Sequence, residues 1–371
     1  MSELGPDLCF ALFTAQTFTL AAALPTWREA RHQAIPRLAA AARTAGAAHI
    51  LLAGDTFDTA TPSPGVLRHA LQAMAAEAPQ TWWLLPGNHD NLAEGEALWD
   101  RIEADAPPNV RVLRDGAPGA LEAGAMLLPA PVERRAMGYD PTASLGAVAT
   151  PPGTLRIGLA HGGVTDFDGS AGHIPPDRAK RAALDYLALG DWHGRRAIGP
   201  RTQYSGSPEQ DRFRHGRRGV CLSVALPGVG AAPEVVEIET GAFLWQDLDI
   251  ALRPETDPAA ALTRALPRER RRETLLRVRP VGWMRLAASI ELSAALAAEA
   301  PDFAYFEPRM DAIATEVEAG DLDAIDRAGA LRHAAAQLHE EAADQSRAAA
   351  DRAVAAAALR RLYAYVQEVD G

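Results

Sequence analysis

From the start of the chain to about residue 210, short apolar runs alternate with longer segments whose apolar residues recur at three-and-four spacing. The runs Leu8 to Phe13, His49 to Ala53, Thr81 to Leu85, Ala125 to Leu128, Leu155 to Ala160 and Tyr186 to Leu189 predict strands. Trp27 to Thr44 and Pro64 to Ala78 predict helices. Strand alternating with helix is the mark of a layered α/β fold. Ligands of such folds gather at the carboxyl ends of the strands, and polar motifs directly follow several of these runs.

Beyond that point the pattern changes. Val220 to Leu226, Val235 to Ile238 and Trp245 to Leu252 follow one another with no helical segment between them, which predicts antiparallel strands extending or closing a second sheet. From Pro254 a smaller α+β region is expected, with a strand at Thr274 to Val278, a helix around Leu286 to Ala298 and a strand at Phe303 to Phe306. The Ala-rich tail from Asp323 to Val366 predicts two helices, split near Ala342 to Ser346. The expected division is a main domain over 1–253, a cap over 254–322 and a helical tail over 323–371.

Composition adds limits. With 371 residues and 48% apolar content the chain can bury a full core. A formal charge of -11 argues against a generally adhesive nucleic-acid binder, yet local basic loops can still hold phosphates on an acidic body. Those loops are built from arginine, since Lys180 is the only lysine. Cys9 and Cys221 lie far apart in apolar stretches and read as reduced thiols, with no disulfide framework. Glu3 and Asp7 precede the first apolar run with no Lys or Arg beside them, so that run reads as a core strand and not as an export signal. No other run is long and apolar enough to span a bilayer, which sets a cytoplasmic location and no membrane partner as expectations.

The chemistry-bearing residues follow the strands in order. Gly54-Asp55-Thr56-Phe57-Asp58 comes after the second run and Gly87-Asn88-His89-Asp90 after the third. His161-Gly162-Gly163 and Gly190-Asp191-Trp192-His193-Gly194 follow the next pair, and Tyr204-Ser205-Gly206-Ser207-Pro208-Glu209 forms a small-residue turn whose N–H groups could face an anion. Hard oxygen and imidazole donors at neighbouring strand ends suit a divalent metal and a phosphate ester.

In this order the motifs resemble the calcineurin-like metallophosphoesterase superfamily, whose pattern is Asp-x-His, Gly-Asp-x-x-Asp, Gly-Asn-His-Asp, a lone His and Gly-His-x-His. The Tyr-Ser-Gly-Ser-Pro-Glu turn, the lead-in Tyr186-Leu187-Ala188-Leu189-Gly190 and the trailing α+β region look like the branch of DNA-repair exonucleases similar to SbcD. The resemblance implies a four-layer α/β/β/α sandwich with a small C-terminal α+β cap and a helical tail. It also implies hydrolysis of DNA phosphodiester bonds by a metal-bound hydroxide, with His89 stabilising the developing charge or protonating the leaving oxygen and Asp90 orienting its ring. The implied cofactor is Mn2+, or else Mg2+, Fe2+ or Zn2+. The implied partners are DNA, an SMC-like or AAA-type ATPase subunit, and a second copy of the chain.

Two departures bear on the metal. Where the family has Asp-x-His, this chain has Gln16 and Phe18, and Asp191 replaces the first His of Gly-His-x-His. Phe18 cannot bind a metal, and Gln16 offers only an uncharged amide oxygen, whereas Asp191 remains a competent ligand. By the resemblance one ion would draw on Asp55, Asn88, His161 and Asp191. A second would keep Asp55 and His193, with weak help from Gln16, so one strong and one weakened position are expected.

Arg195, Arg196, Arg212 and Arg214 surround the last two motifs. They form either a clamp for a nucleic-acid backbone or a solvated loop paired with Glu209 and Asp211. Three functions therefore compete: a nuclease, a degenerate phosphoesterase kept as a scaffold or DNA-end binding subunit of an ATPase complex, and a phosphoesterase for small esters.

Overall fold

The computed structural model describes residues 7–11, 25–121, 124–136, 138–165, 173–317, 325 and 329–370; Gln16 and Phe18 lie outside the described residues. The chain divides into two units, Met1–Leu244 and Trp245–Gly371.

In the first unit, β1 (Asp7–Ala11), β2 (His49–Leu52), β3 (Thr81–Leu84) and β4 (Val110–Val112) pair in parallel in that order. A second sheet contains β5 (Gly119–Leu121), β6 (Ala125–Ala130), β7 (Leu155–His161), β8 (Tyr186–Gly190), β9 (Arg196–Gly199) and β10 (Thr202–Tyr204). Its order is β5-β6-β7-β8-β10-β9, with β6, β7, β8 and β10 parallel and the two edge strands antiparallel. β11 (Arg218–Ala225) returns antiparallel to β1, and β12 (Glu234–Leu252) pairs antiparallel with β11.

Side-chain alternation along the strands assigns the layers. Leu51, Ala53, Trp83 and Leu85 of the first sheet meet Leu127, Ile157, Leu159 and Ala188 of the second in one buried cluster. The intervening residues Ile50, Leu52, Trp82 and Leu84 turn the other way. They pack on α2 (Ala34–Ala45), α3 (Pro64–Ala76) and α4 (Glu96–Asp105) through Leu38, Leu71, Met74, Trp99 and Ile102. On the far face of the second sheet, Leu128, Ala160, Leu187 and Leu189 are covered by Leu145, Ala179 and Ala182, which belong to a 3-10 turn at Ala143–Ala147 and the short helix α5 (Arg178–Arg181). This is the four-layer α/β/β/α arrangement. Strands buried on both faces explain why they read as continuous apolar runs.

Two elements differ from the pattern reading. The single helix expected over Trp27 to Thr44 is α1 (Pro25–His32) followed by α2, broken at Gln33. Pro36 is the cause: it has no N–H for the His32 carbonyl, and its ring fits only the first turn of a new helix. Conversely, the two strands expected at Val235 to Ile238 and Trp245 to Leu252 are one strand, β12. Thr240-Gly241-Ala242 interrupts the apolar alternation because the pairing with β11 shifts register there, and a bulge reads in sequence as a strand end.

In the second unit the end of β12 joins β13 (Thr274–Arg285), to which β14 (Tyr305–Pro308) and β15 (Ile313–Glu316) pair in parallel. Helices α6 (Pro258–Ala265) and α7 (Leu286–Glu299) complete a core of Leu262, Leu276, Leu292, Leu296 and Phe303. α8 (Ala330–Ala343) and α9 (Ala349–Asp370) form the two tail helices, closed by Ala335, Leu359 and Tyr363.

Glu209 binds the first unit together at the bulge. Its carboxylate accepts the N–H groups of Ala242 and Phe243 at 2.6 and 3.0 Å and a 2.7 Å bond from Arg37 Nη2 of α2. Its side chain is 2% exposed, and burial pushes its pKa up against the pull of these partners. Glu209→Ala should therefore lower unfolding stability by about 3 kcal/mol, because it strands two N–H groups and a half-buried guanidinium. Glu209→Gln should cost less. Urea unfolding of the three proteins measures both.

Candidate metal centre

Because β2 and β3 are neighbours in one sheet and β7 and β8 in the other, the loops leaving their carboxyl ends face one another across the sandwich. The backbone there is forced into the left-handed region at Gly54 (φ 87°), Asp55 (φ 52°) and Asp191 (φ 100°). Contact between the loops is very close. A Cβ on Gly54 would lie 2.3 Å from His161 Nδ1, and one on Gly87 would lie 2.2 Å from Asp55 Oδ1. Only glycine fits at either position.

His161 is the centre of the arrangement. Its Nδ1 is 2.8 Å from the Ala53 carbonyl, so Nδ1 carries the proton and Nε2 points the other way. Nε2 faces Asn88 Oδ1 at 3.3 Å, Asp55 Oδ2 at 3.4 Å and Asp191 Oδ1 at 3.8 Å. A neutral ring would aim a lone pair at three acceptor oxygens, a repulsive arrangement unless a cation lies among them. Burial opposes charge on His161, but Asp55 and Asp191 outweigh it and hold its pKa above the ordinary value.

Two carboxylates, an amide oxygen and an imidazole nitrogen form a donor set suited to Mn2+, Mg2+, Fe2+ or Zn2+. Among the described residues no group of three or more His, Cys, Asp or Glu side chains stands placed to hold a metal ion by itself. Here the set is completed by the Asn88 amide and by a small turn of Asp191, whose side chain is 37% exposed and has room to move. The residues present fit one dication.

His89 and Asp90 do different work. The His89 backbone N–H donates to Asp55 Oδ1 at 2.8 Å, and its side chain lines the adjoining cavity. Asp90 is fully buried, with Oδ1 accepting Gly87 N–H at 2.6 Å and Oδ2 accepting Phe57 N–H at 3.1 Å, while Trp99 Nε1 donates to its carbonyl at 2.6 Å. These bonds tie the Asp55 and Asn88 loops to each other. Burial and the nearby Asp55 hold the Asp90 carboxyl above the usual carboxylate range.

The cavity measures about 120 Å3, and Asp55, Asn88, Asp191, His193, Arg212 and Arg214 are among the residues that line it. His193 does not join the His161 set. Its Nδ1 lies 3.0 Å from Asp211 Oδ2, and Arg212 Nη2 stands 3.0 Å from Nδ1 and 3.3 Å from Nε2. Arg212 also grips Asp211 through Nε at 3.0 Å and Nη2 at 3.1 Å. Burial pushes the Asp211 pKa up, but His193 and Arg212 prevail and bring it down to about 2. Of the expected second ligand set, Asp55 and His193 line this same cavity, and Gln16 lies outside the described residues.

The arginines separate. Arg214 stacks on Trp192 at 4.7 Å beside Arg212. Arg195 is instead drawn into the sheet by Glu237, Gln203 and the Tyr204 carbonyl, and Arg196 projects outward from β9. The Tyr204 to Glu209 turn offers its backbone to the protein itself, since Ser207 N–H donates to the His193 carbonyl at 2.9 Å. Asp211 was the residue least visible beforehand: two positions past that turn and next to an arginine, it reads as loop charge. His215 also went unassigned; it meets Trp192 edge-on at 5.5 Å, and burial, followed by His193 and Arg212, pushes its pKa down to about 4.

Residues 28–195 match the family model described as calcineurin-like phosphoesterase. Among solved structures, the crystal structure of TT1561 of Thermus thermophilus is similar, at 10% identity and a TM-score of 0.41 over 62% of this chain and 98% of that one. Another aligns at 12% identity with a TM-score of 0.38, over 63% of this chain and 98% of its own. No curated protein matches. Among the described residues no helix is long and apolar enough to cross a membrane.

Two outcomes follow from the geometry. Gly54→Ala should abolish tight Mn2+ binding, because its Cβ must displace the His161 ring; calorimetric titration of the folded variant tests this. For His215, the unfolded chain takes up a proton near pH 6.5 and the folded chain only near about 4, so stability falls as pH drops through that window. His215→Asn should flatten that part of the profile, as read from urea midpoints between pH 7 and pH 4.

Proposed function

We propose that the chain is a metal-dependent phosphodiesterase acting on DNA, working with one dication held by Asp55, Asn88, His161 and Asp191. The observation that supports this most is the Nε2 of His161, aimed at three oxygens with its other nitrogen locked to the Ala53 carbonyl. A dication bound there supplies Lewis-acid polarisation of the phosphoryl group. His89 lines the cavity, where its imidazole can donate to a phosphoryl or leaving oxygen. Arg212 and Arg214 give the opposite side of the cavity the positive charge that a phosphodiester needs. The choice of DNA rests on the exonuclease-like turn and on the arginines around it, and an SMC-like or AAA-type ATPase subunit and a homodimer belong to the same proposal.

A second reading is favoured by Gln16 and Phe18: a subunit that binds DNA ends and no longer cleaves them. Hydrolysis of bis-p-nitrophenyl phosphate and of a DNA oligonucleotide, with and without Mn2+, separates the two. Under the main reading turnover depends on Mn2+ and falls about 100-fold or more in Asn88→Ala and Asp55→Ala. DNA binding without Mn2+-dependent turnover would select the second. Turnover of the small ester with none on DNA would instead select a small-molecule phosphoesterase.

A further inference from the structure

We propose that Arg212 is the second cation of this centre: its guanidinium stands where His193 would otherwise hold a second metal ion, and it contacts a phosphoryl oxygen across the cavity from the Asp55, Asn88, His161 and Asp191 set. The inference rests on the phosphodiesterase reading and adds to it a working residue and a metal count.

Three observations carry it. The first is that His193 is fully engaged. Its Nδ1 is 3.0 Å from Asp211 Oδ2, and Arg212 Nη2 stands against the ring, 3.0 Å from Nδ1 and 3.3 Å from Nε2. A dication on Nε2 would meet a guanidinium at hydrogen-bond range, where like charges repel strongly in a buried setting. The second is that the guanidinium is held in place. Asp211 accepts from both Nε and Nη2 of Arg212, and it is 1% exposed. A carboxylate this well buried is held by Arg212 and the His193 ring and fixes both. The third is orientation at Asp55. Its Oδ1 accepts the His89 N–H while Oδ2 faces His161, which directs the carboxylate to one metal position.

The consequence is an asymmetric cavity of about 120 Å3 with a metal position on one side and an arginine on the other. A guanidinium is planar, permanently charged and shaped for two phosphate oxygens, so it can take over part of the charge neutralisation of a dication. It cannot acidify a water as a metal does. Asp211 is then a positioning residue and Arg212 a catalytic one.

Metal counting on the full chain provides the test, since it needs no turnover. After chelation and equilibration with Mn2+, the parent and Arg212→Ala should each hold one Mn2+ per chain and Asp55→Ala none, with circular dichroism checking that each is folded. Two Mn2+ ions in the parent would overturn the proposal. With bis-p-nitrophenyl phosphate, Arg212→Ala should lower kcat about 100-fold, with partial recovery in millimolar guanidinium but not in ammonium, and Arg212→Lys should fall between. An unchanged kcat in Arg212→Ala, or a loss that guanidinium does not relieve, would sink it. If the Mn2+-loaded parent turns over nothing, the phosphodiesterase reading fails by itself, and Arg212 is judged by inorganic phosphate binding. Binding to the Mn2+-loaded parent should then weaken at least about tenfold in Arg212→Ala, and equal affinity in the two proteins would overturn the assignment.

Discussion

Everything in the centre depends on how closely two strand-end loops can approach. The His161 ring lies against the backbone at Gly54 with no room for a Cβ, and this contact brings Nδ1 to the Ala53 carbonyl. The bond settles which nitrogen carries the proton, and so it turns the other nitrogen toward Asp55, Asn88 and Asp191. Asp90 reinforces the approach from below by joining the Gly87 and Phe57 amides. Backbone geometry thus fixes the His161 ring among Asp55, Asn88 and Asp191.

Charge balance explains the rest of the design. Asp55, Asp90 and Asp211 are all essentially inaccessible, and a carboxylate in that environment must be neutralised, bonded by N–H groups or paired. Each does so differently: Asp55 through His161 and the cation its site invites, Asp90 through backbone amides, and Asp211 through His193 and Arg212. The last two differ in pKa direction for that reason. Burial and the nearby Asp55 push Asp90 up against the pull of its amides, whereas at Asp211 the bonds from His193 and Arg212 prevail over burial and pull it down.

The strand runs and the polar residues that close them were readable from the chain because period and position are local properties. Asp55, Asn88, His161 and Asp191 each follow an apolar run directly, and parallel neighbours in two facing sheets bring such positions together. What was not readable depends on distant partners. Glu209 finds its role at Ala242, Phe243 and Arg37, and Asp211 at His193, and neither relation leaves a local pattern. The break at Gln33 was visible in principle through Pro36, but the continuous three-and-four spacing masked it. The bulge in β12 was hidden for the opposite reason, as a polar and glycine interruption inside one strand imitates the end of two.

Placing an arginine opposite a metal also bears on how an acidic chain meets an anion. The formal charge of -11 repels phosphates at long range, yet that repulsion is screened within about 10 Å at ordinary ionic strength. What a substrate meets inside that distance is local: Arg214 over Trp192 and Arg212 braced on Asp211, both along the same cavity. Because Asp211 is buried and the guanidinium is gripped through two of its nitrogens, the positive side keeps its orientation when no anion is present. Preorganised charge of this kind costs little to realign at the moment of reaction, whereas a flexible surface arginine must first be ordered. The loop after β10, which reads in sequence as a stretch of mixed charge, is therefore built to hold one cation still.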